Sequence, residues 1–277
     1  MARKIELAKT RKEKKHETYH SVKMWGIQNF KPKRLSGEND DSIAMHYETL
    51  EKEFLKMPNA QDKMLINNCH DKLFPERREF ILEPPVKSVA AIDAKFPLLF
   101  SYKQILAEYT RLTTENLTES FISGVQKYLK LASFLPGKNE EKLLVDIRKM
   151  FSECAIEDRG HFYEQCVAVL IVPQQMKEKL SDFIYTDGEN SSYPKIRIKS
   201  YTDTLPVEVI VEGVTFCECS DIISGIALML CAYYVINIAY PKELKSTLFF
   251  YQKAFLNIAD SSAKDAKVAK LLTVLLS

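Results

Sequence analysis

The stretch from Asp221 to Pro241 constrains the fold of this chain most, because no charged side chain lies between Asp221 and Lys242. As a helix it would be apolar on every face, so it must be buried in a protein core or in lipid. A membrane span needs about 20 predominantly apolar residues, which this stretch just supplies. Ser220 or Asp221 can cap its start, and Pro241 is expected to end it.

Polar and helix-breaking residues inside this stretch favour a protein core over a bilayer. Ser224, Gly225 and Asn237 interrupt it. The following segment, Leu244 to Ile258, has the period of an amphipathic helix that packs beside it, and not the pattern of a loop across a bilayer surface. We therefore predict a buried core helix over residues 221–240 and no association with a membrane.

The charge of the chain is asymmetric, although its net value is only +2. Residues 1–34 carry 11 Lys or Arg and three acids, a net charge of +8, whereas residues 35–277 carry 28 bases and 34 acids, a net charge of −6. A basic arm on a mildly acidic body is typical of contact with nucleic acid or an acidic partner. A solubilising tail or a nuclear-import tract would have the same composition. The expected contact residues are Arg3, Lys4, Arg11, Lys12, Lys14, Lys15, Lys31, Lys33 and Arg34.

Composition and cysteine usage predict a folded intracellular protein, in the nucleus or the cytoplasm. Hydrophobic residues make up 46% of the chain, enough for a sizeable core. No apolar segment follows the basic start, so we expect no signal peptide. Six cysteines at irregular spacings within apolar patterns are typical of reduced, buried thiols (Cys69, Cys154, Cys166, Cys217, Cys219 and Cys231).

Helical periodicity dominates the first part of the chain. Ile43, Tyr47, Leu50 and Phe54 recur at helical steps and are expected on one buried face. Further helices are predicted over about 60–82, 102–112, 117–128, 143–151 and 162–173. A short helical turn is predicted at 86–92. Asn116 is expected to cap the helix over 117–128.

Strand periodicity appears only after residue 187. Ile196 and Ile198 alternate with charged residues, and a second alternating run covers 207–211. Glu212-Gly213 predicts a two-residue hairpin turn into a strand over 214–218. We predict an α+β fold: a helical N-terminal half, followed by a small antiparallel sheet that packs against the buried apolar helix and C-terminal helices.

The predicted organisation has three parts. Residues 1–41 form a basic arm and linker, with Trp25, Ile27 and Phe30 as its anchor on the body. Residues 42–175 form a helical region, and residues 176–277 form the sheet and the C-terminal helices. The last two parts can belong to one domain.

The sequence contains no complete catalytic or cofactor-binding motif. Only eight glycines occur, no Gly-rich loop follows a strand, and neither Gly-x-Ser-x-Gly nor His-Glu-x-x-His is present. The five histidines are scattered, which weakens any proposal of a metal or a general base. We therefore predict that the protein is not an enzyme, and that it has no cofactor, no metal and no catalytic residue.

Three weaker patterns stand as alternatives. Cys217 and Cys219 would lie on one face of a strand, but a zinc site needs four donors. Cys219 precedes a helix N-terminus, which could lower the pKa of its thiol for nucleophilic chemistry with His161 as a distant partner. The segment Glu76-Arg77-Arg78-Glu79 could hold a phosphate. A buried, inert cysteine and a salt-bridged, solvated helix face are the commoner outcomes of such patterns.

Several of these stretches occur together in one known family: Ser36-Gly-Glu-Asn39, Phe74 to Ile81, Glu83 to Val86, Phe96 to Phe100, Val209 to Gly213, and Tyr240 to Thr247 with Gln252-Lys253. Over about residues 36–277 the chain resembles the C-terminal region of the sterile alpha motif domain-containing protein 3-like family of vertebrates. Phe96 stands where that family has tryptophan, and the sterile alpha motif itself is absent. The resemblance implies a soluble region, no assigned activity, no transferable catalytic residue and no self-association through that motif.

Two functions follow as hypotheses. The first is a non-enzymatic protein-interaction or self-association module with a basic N-terminal arm. The second is a nuclear nucleic-acid-associated factor that contacts phosphates through residues 1–34.

Overall fold

The structure, a computed structural model, describes residues 29–134, 141–153, 160–185, 191–198, 207–258 and 265–277. The mixed α+β class predicted from the sequence is confirmed. The chain divides into two compact units: unit 1 comprises Met1–Thr114 with Cys231–Ala239, and unit 2 comprises Glu115–Leu230 with Tyr240–Ser277. The predicted domain boundaries at residues 41 and 175 stay predictions, because compactness alone does not identify a segment that folds by itself.

Unit 1 is helical in its described residues: α1 (Asp40–Phe54), α2 (Lys63–Lys72), α3 (Phe74–Leu82), α4 (Val89–Lys95) and α5 (Tyr102–Thr113). The predicted single helix over 60–82 is wrong, since Leu73 separates α2 from α3. Pro75 lies in the first turn of α3, where a missing amide donor is tolerated, whereas inside a continuous helix it would break the hydrogen-bond ladder.

Helices α1 and α2 pack side by side in opposite directions. The amide of Asp62 donates to the Glu53 carboxylate at 2.8 Å, and Lys72 pairs with Glu38 at 2.9 Å, so the end of α1 meets the start of α2. The core between the two helices consists of Ile43, Leu50, Ile66, Cys69 and Leu73, flanked by Tyr47 and Leu98. Phe54 was predicted on this buried face, but it is 57% exposed.

Unit 2 contains helices and the sheet. Its described α-helices are α6 (Leu117–Lys127), α7 (Lys142–Glu153), α8 (His161–Leu170), α9 (Val172–Gln175), α10 (Ile222–Val235, whose last five residues belong to unit 1), α11 (Lys245–Phe250) and α12 (Ala266–Leu276). Asn116 caps α6 as predicted, through the amides of Thr118 and Glu119. The helix predicted over 162–173 was expected to end at Pro173. Helix α8 instead ends at Leu170, and Pro173 lies in the first turn of α9.

The sheet has four strands in the order β1-β2-β3-β4: β1 (Ile184–Tyr185), β2 (Lys195–Ile198), β3 (Val207–Val211) and β4 (Val214–Cys219). Strand β1, which was not predicted, pairs parallel to β2, and the other pairs are antiparallel. The predicted hairpin turn is confirmed: Glu212 and Gly213 have φ values of 52° and 78°, as a type I′ turn requires.

Helix α10 is the buried apolar helix that the sequence predicts, because all of its residues except Ser224 are buried. No helix within the described ranges is long and apolar enough to cross a membrane. The carboxylate of Asp221 accepts the Ser224 amide at 2.8 Å and so caps the helix. At Gly225 an added Cβ would lie 2.7 Å from Cγ1 of Val207, so the missing side chain lets the start of α10 pack closely on the sheet.

The predicted end of this helix at Pro241 is wrong. Helix α10 ends at Val235, and Asn237 follows with a φ of 55°. The amide of Ile238 then donates to the Tyr233 carbonyl at 3.1 Å. A left-handed residue of this kind closes a helix by satisfying its last carbonyls, and asparagine tolerates that conformation better than most residues do.

Candidate functional site

Of the nine predicted contact residues in the basic arm, the structure describes Lys31, Lys33 and Arg34. The lysines are exposed. The guanidinium of Arg34 donates to Glu76 at 2.5 Å and to Asp40 at 2.6 Å, and these hydrogen bonds raise its pKa. Arg34 is therefore already paired with two carboxylates, which reduces its value as a phosphate contact. The other six lie outside the described residues: Arg3, Lys4, Arg11, Lys12, Lys14 and Lys15.

The anchor predicted for the arm is described only at Phe30. Its ring centroid lies 6.5 Å from that of Phe74, and its side chain is 44% exposed. Trp25 and Ile27 lie outside the described residues.

The prediction of a solvated face at Glu76–Glu79 is wrong, because Arg77 and Arg78 are both fully buried. The Arg77 guanidinium donates to both carboxylate oxygens of Glu108, at 2.7 and 2.5 Å. Arg78 donates to the carbonyl of Val235 at 2.9 Å, and burial lowers its pKa to about 10. Neither guanidinium is available to an external phosphate, so the phosphate-clamp alternative has no geometric support.

Glu108 is the centre of this buried network. Besides Arg77 it binds Arg111, whose Nη1 lies 3.0 Å from its Oε2. Burial acts to raise the pKa of Glu108, but the charge and hydrogen bonds of Arg77, followed by the charge of Arg111, outweigh burial and lower it. The network therefore holds an ionised carboxylate in the interior of unit 1, and its role is structural.

Cys217 and Cys219 do not have the properties of metal ligands or nucleophiles. Burial raises the pKa of each thiol to about 12, the opposite of what an activated thiolate needs. The thiol of Cys219 lies 3.5 Å from the carbonyl oxygens of Val207 and Asp221. Among the described residues, no group of three or more His, Cys, Asp and Glu side chains could hold a metal ion.

Another set of reactive residues, which the sequence did not reveal, lies between α1 and α2. Sγ of Cys69 lies 4.0 Å from Nδ1 of His46, and Nε2 of His46 lies 3.0 Å from the Glu38 carboxylate. This is the order of a nucleophile, a base and an orienting acid. Yet Cys69 is 1% exposed, and burial raises the pKa of its thiol.

The Glu38 network therefore connects elements of the fold and does not form a reaction centre. Hydrogen bonds from Lys72 and then Ser42 lower the pKa of Glu38 to about 2. Lys72 lies on α2 and His46 on α1, so one carboxylate ties the residues before α1 to both helices. A substrate would have no access to the thiol of Cys69.

One group of exposed apolar side chains lies where the chain passes from α1 to α2. We define the corner surface as Phe54, Leu55, Met57, Met64 and Leu65. Their exposed fractions are 57%, 84%, 72%, 86% and 37%. Large apolar side chains that are exposed together mark binding surfaces more often than scattered ones do.

A groove of about 390 Å³ adjoins this surface, and we call it the corner groove. Phe54, Leu55, Ala94 and Pro97 supply its apolar lining, and Glu51 and Asp93 supply carboxylates. Within the described residues neither carboxylate forms an ion pair. Partial burial raises the pKa of Asp93.

A second groove, of about 450 Å³, lies in unit 2 beside Glu141, Gln174 and Glu178. The carboxylates that line it already accept hydrogen bonds from backbone amides. Glu141 accepts the amides of Leu180 and Ser181, and Glu178 accepts two amides at the start of α11. The corner groove is the better candidate site, because among the described residues its two carboxylates accept no backbone amide.

Comparison with known proteins gives no match for this chain to a family model, a curated protein or a solved structure. The resemblance to the sterile alpha motif domain-containing protein 3-like family therefore stays a prediction. The corner groove is identified as the candidate site from the geometry of this chain alone.

Proposed function

We propose that this chain is a non-enzymatic protein-interaction module, and that it uses the corner surface to bind a protein partner or a second copy of itself. The observation that carries the proposal is the exposure of Leu55 and Met64, at 84% and 86%. Burying a Leu or Met side chain completely contributes about 1.5–3 kcal/mol. Covering these two side chains alone would therefore contribute roughly 3–6 kcal/mol to an interface.

The corner surface is held in place by hydrogen bonds, which supports a binding role. Glu53 is 3% exposed, and its carboxylate binds both the Lys56 ammonium, at 2.5 Å, and the Asp62 amide, at 2.8 Å. Asp62 in turn caps α2 through the amides of Met64 and Leu65. A preorganised surface loses less conformational entropy on binding, so more of the contact energy appears as affinity.

We also propose an intracellular location, in the nucleus or the cytoplasm. The support is cysteine chemistry: the five cysteines that the structure describes are buried, and none of them forms a disulfide. Unpaired thiols are typical of proteins in reducing compartments.

The test of the interaction function is the double variant Leu55→Ser/Met64→Ser. If the surface binds, affinity for the partner or second copy should fall about 100-fold, since roughly 3 kcal/mol of apolar burial is lost. The measurements are light scattering after size exclusion, for self-association, and affinity capture followed by titration of the captured protein. The matched control is Val274→Ser/Leu276→Ser on α12, where both side chains are also exposed, at 44% and 68%. The proposal would be contradicted if the wild-type chain stays monomeric and every protein that it captures is also captured by the double variant.

Nucleic-acid binding through the basic arm is the second candidate, favoured by the net charge of +8 on residues 1–34. Its affinity for random duplex DNA should fall steeply between about 50 and 200 mM salt, because released counterions drive such binding. A variant with Gln at eight basic positions tests it, and Arg34 is left intact because it pairs with the body. Affinity that is absent, or unchanged in the variant, removes this candidate. The eight positions are Arg3, Lys4, Arg11, Lys12, Lys14, Lys15, Lys31 and Lys33.

A further inference from the structure

The chemistry of the corner groove defines the ligand that it would take. Its lining is apolar at Phe54, Leu55 and Pro97, and carboxylates are present at Glu51 and Asp93. An aliphatic side chain would fill the apolar part, and Lys or Arg side chains next to it would neutralise the two carboxylates. The complementary ligand is therefore a peptide segment in which basic residues flank aliphatic ones.

The chain itself contains such a segment. Residues 1–28 carry eight Lys or Arg and three acids, a net charge of +5. Near the start, the aliphatic residues Ile5 and Leu7, with Glu6 between them, are flanked by the basic residues Arg3 and Lys4 on one side and Lys9 on the other. This segment therefore has both properties that the groove requires.

The length of the N-terminal segment allows it to reach the groove. Arg34 pairs with Asp40 at the start of α1, and Phe54 is the last residue of α1. Helix α1 has 15 residues and is about 22 Å long. The 20 Cα–Cα steps from Lys9 to Asn29 can extend to roughly 66 Å, about three times that distance. The segment of the same molecule or of a second copy can thus meet the groove.

We propose that the corner groove binds the N-terminal segment around Ile5 and Leu7, with the adjacent basic side chains against Glu51 and Asp93. This inference rests on the proposed function and names the ligand of the same surface. Binding within one molecule would make the segment a competitor of other partners. Binding between two molecules would make it the contact of a dimer.

Photo-crosslinking in the full-length chain tests this proposal. Ile5 is replaced by p-benzoyl-L-phenylalanine, the protein is irradiated, and the crosslinked peptides are mapped by mass spectrometry. We expect adducts in the peptides that contain Phe54, Leu55 or Pro97. Adducts at the mass of one chain indicate binding within a molecule, and adducts at twice that mass indicate binding between two copies.

The charge contribution is tested with Glu51→Gln/Asp93→Asn in the same photo-reactive chain. Loss of two partly exposed ion pairs should reduce the yield of groove adducts about fivefold. The matched control is Glu153→Gln/Glu218→Gln, two exposed carboxylates of unit 2, which should leave the yield unchanged. Adducts that map elsewhere on the chain, or a groove yield that the Glu51/Asp93 variant does not alter, would overturn the proposal.

Failure of this inference is distinguishable from failure of the proposed function. If Leu55→Ser/Met64→Ser abolishes partner binding but no adduct maps to the groove, the interaction function stands and the N-terminal segment is not its ligand. If the adducts map to the groove but only within single molecules, and no partner depends on Leu55 and Met64, the groove serves the chain itself and the interaction function fails.

Discussion

Replacing Glu108 by Gln should destabilise the protein strongly, because the change leaves the buried Arg77 without a counter-charge. Both side chains are fully buried, and Glu108 also binds Arg111. Removal of one partner from a buried ion pair costs about 3–5 kcal/mol. Gln keeps one acceptor oxygen, so we expect about 3 kcal/mol, which is a large fraction of the roughly 5–15 kcal/mol that stabilises a typical protein.

The assay is urea unfolding followed by far-UV circular dichroism. The slopes of the free energy of unfolding against urea concentration are compared between variants, to verify that the surface exposed on unfolding is unchanged. The double variant Arg77→Met/Glu108→Leu removes both charges and should be more stable than Glu108→Gln, since no charge is left unpaired. The exposed Glu48–Lys52 pair, 3.5 Å apart, supplies the control: Lys52→Gln should cost no more than about 0.5 kcal/mol. If Glu108→Gln costs less than about 1 kcal/mol, or if the double variant is the less stable one, the reasoning is refuted.

Three further results are expected. The hydrogen-bonded Glu38, with a pKa of about 2 against an ordinary 4.5, contributes stability in full above its unfolded pKa and loses it as the pH falls towards 2. Glu38→Gln should therefore flatten the acid limb of a stability–pH curve, and an unaltered limb would contradict the network. Gly124→Ala places a methyl group against the backbone of Phe255 and should destabilise by about 1–3 kcal/mol, seen as a lower Tm, whereas an unchanged Tm would argue against this close approach. Cys219→Ser should leave the rate of thiol labelling in the native protein unchanged, and loss of a fast labelling phase would show a reactive thiolate.

Features that depend on neighbouring residues were predictable from the sequence. The turn at Glu212-Gly213, the cap at Asn116 and the burial of the apolar helix each follow from a short pattern with one physical solution. The end of that helix was not predictable, because two helix-ending signals competed. Pro241 was the stronger signal in the sequence, but the left-handed Asn237 closes the helix earlier.

Features that depend on distant partners were not predictable. Arg77 and Arg78 resemble a solvated helix face because their partners are far along the chain: Glu108 is 31 residues from Arg77, and Val235 is 157 residues from Arg78. The corner surface escaped prediction for a related reason. Phe54 continues the apolar period of α1, but it is the last residue of that helix and is 57% exposed, and the period alone does not reveal whether another element covers it.

Unit 1 is discontinuous in sequence, and this has a consequence for biosynthesis. Its segment Cys231–Ala239 leaves the ribosome 125 residues after Thr114, which takes roughly 6–25 s at ordinary translation rates. During that interval the guanidinium of Arg78 lacks the Val235 carbonyl that it binds in the finished protein. Until most of the chain has been made, the nascent N-terminal helices therefore lack one of the acceptors of this buried cation, whose Nε also donates to the Phe30 carbonyl at 3.4 Å. A fragment truncated at Thr114 would stay in that incomplete state permanently.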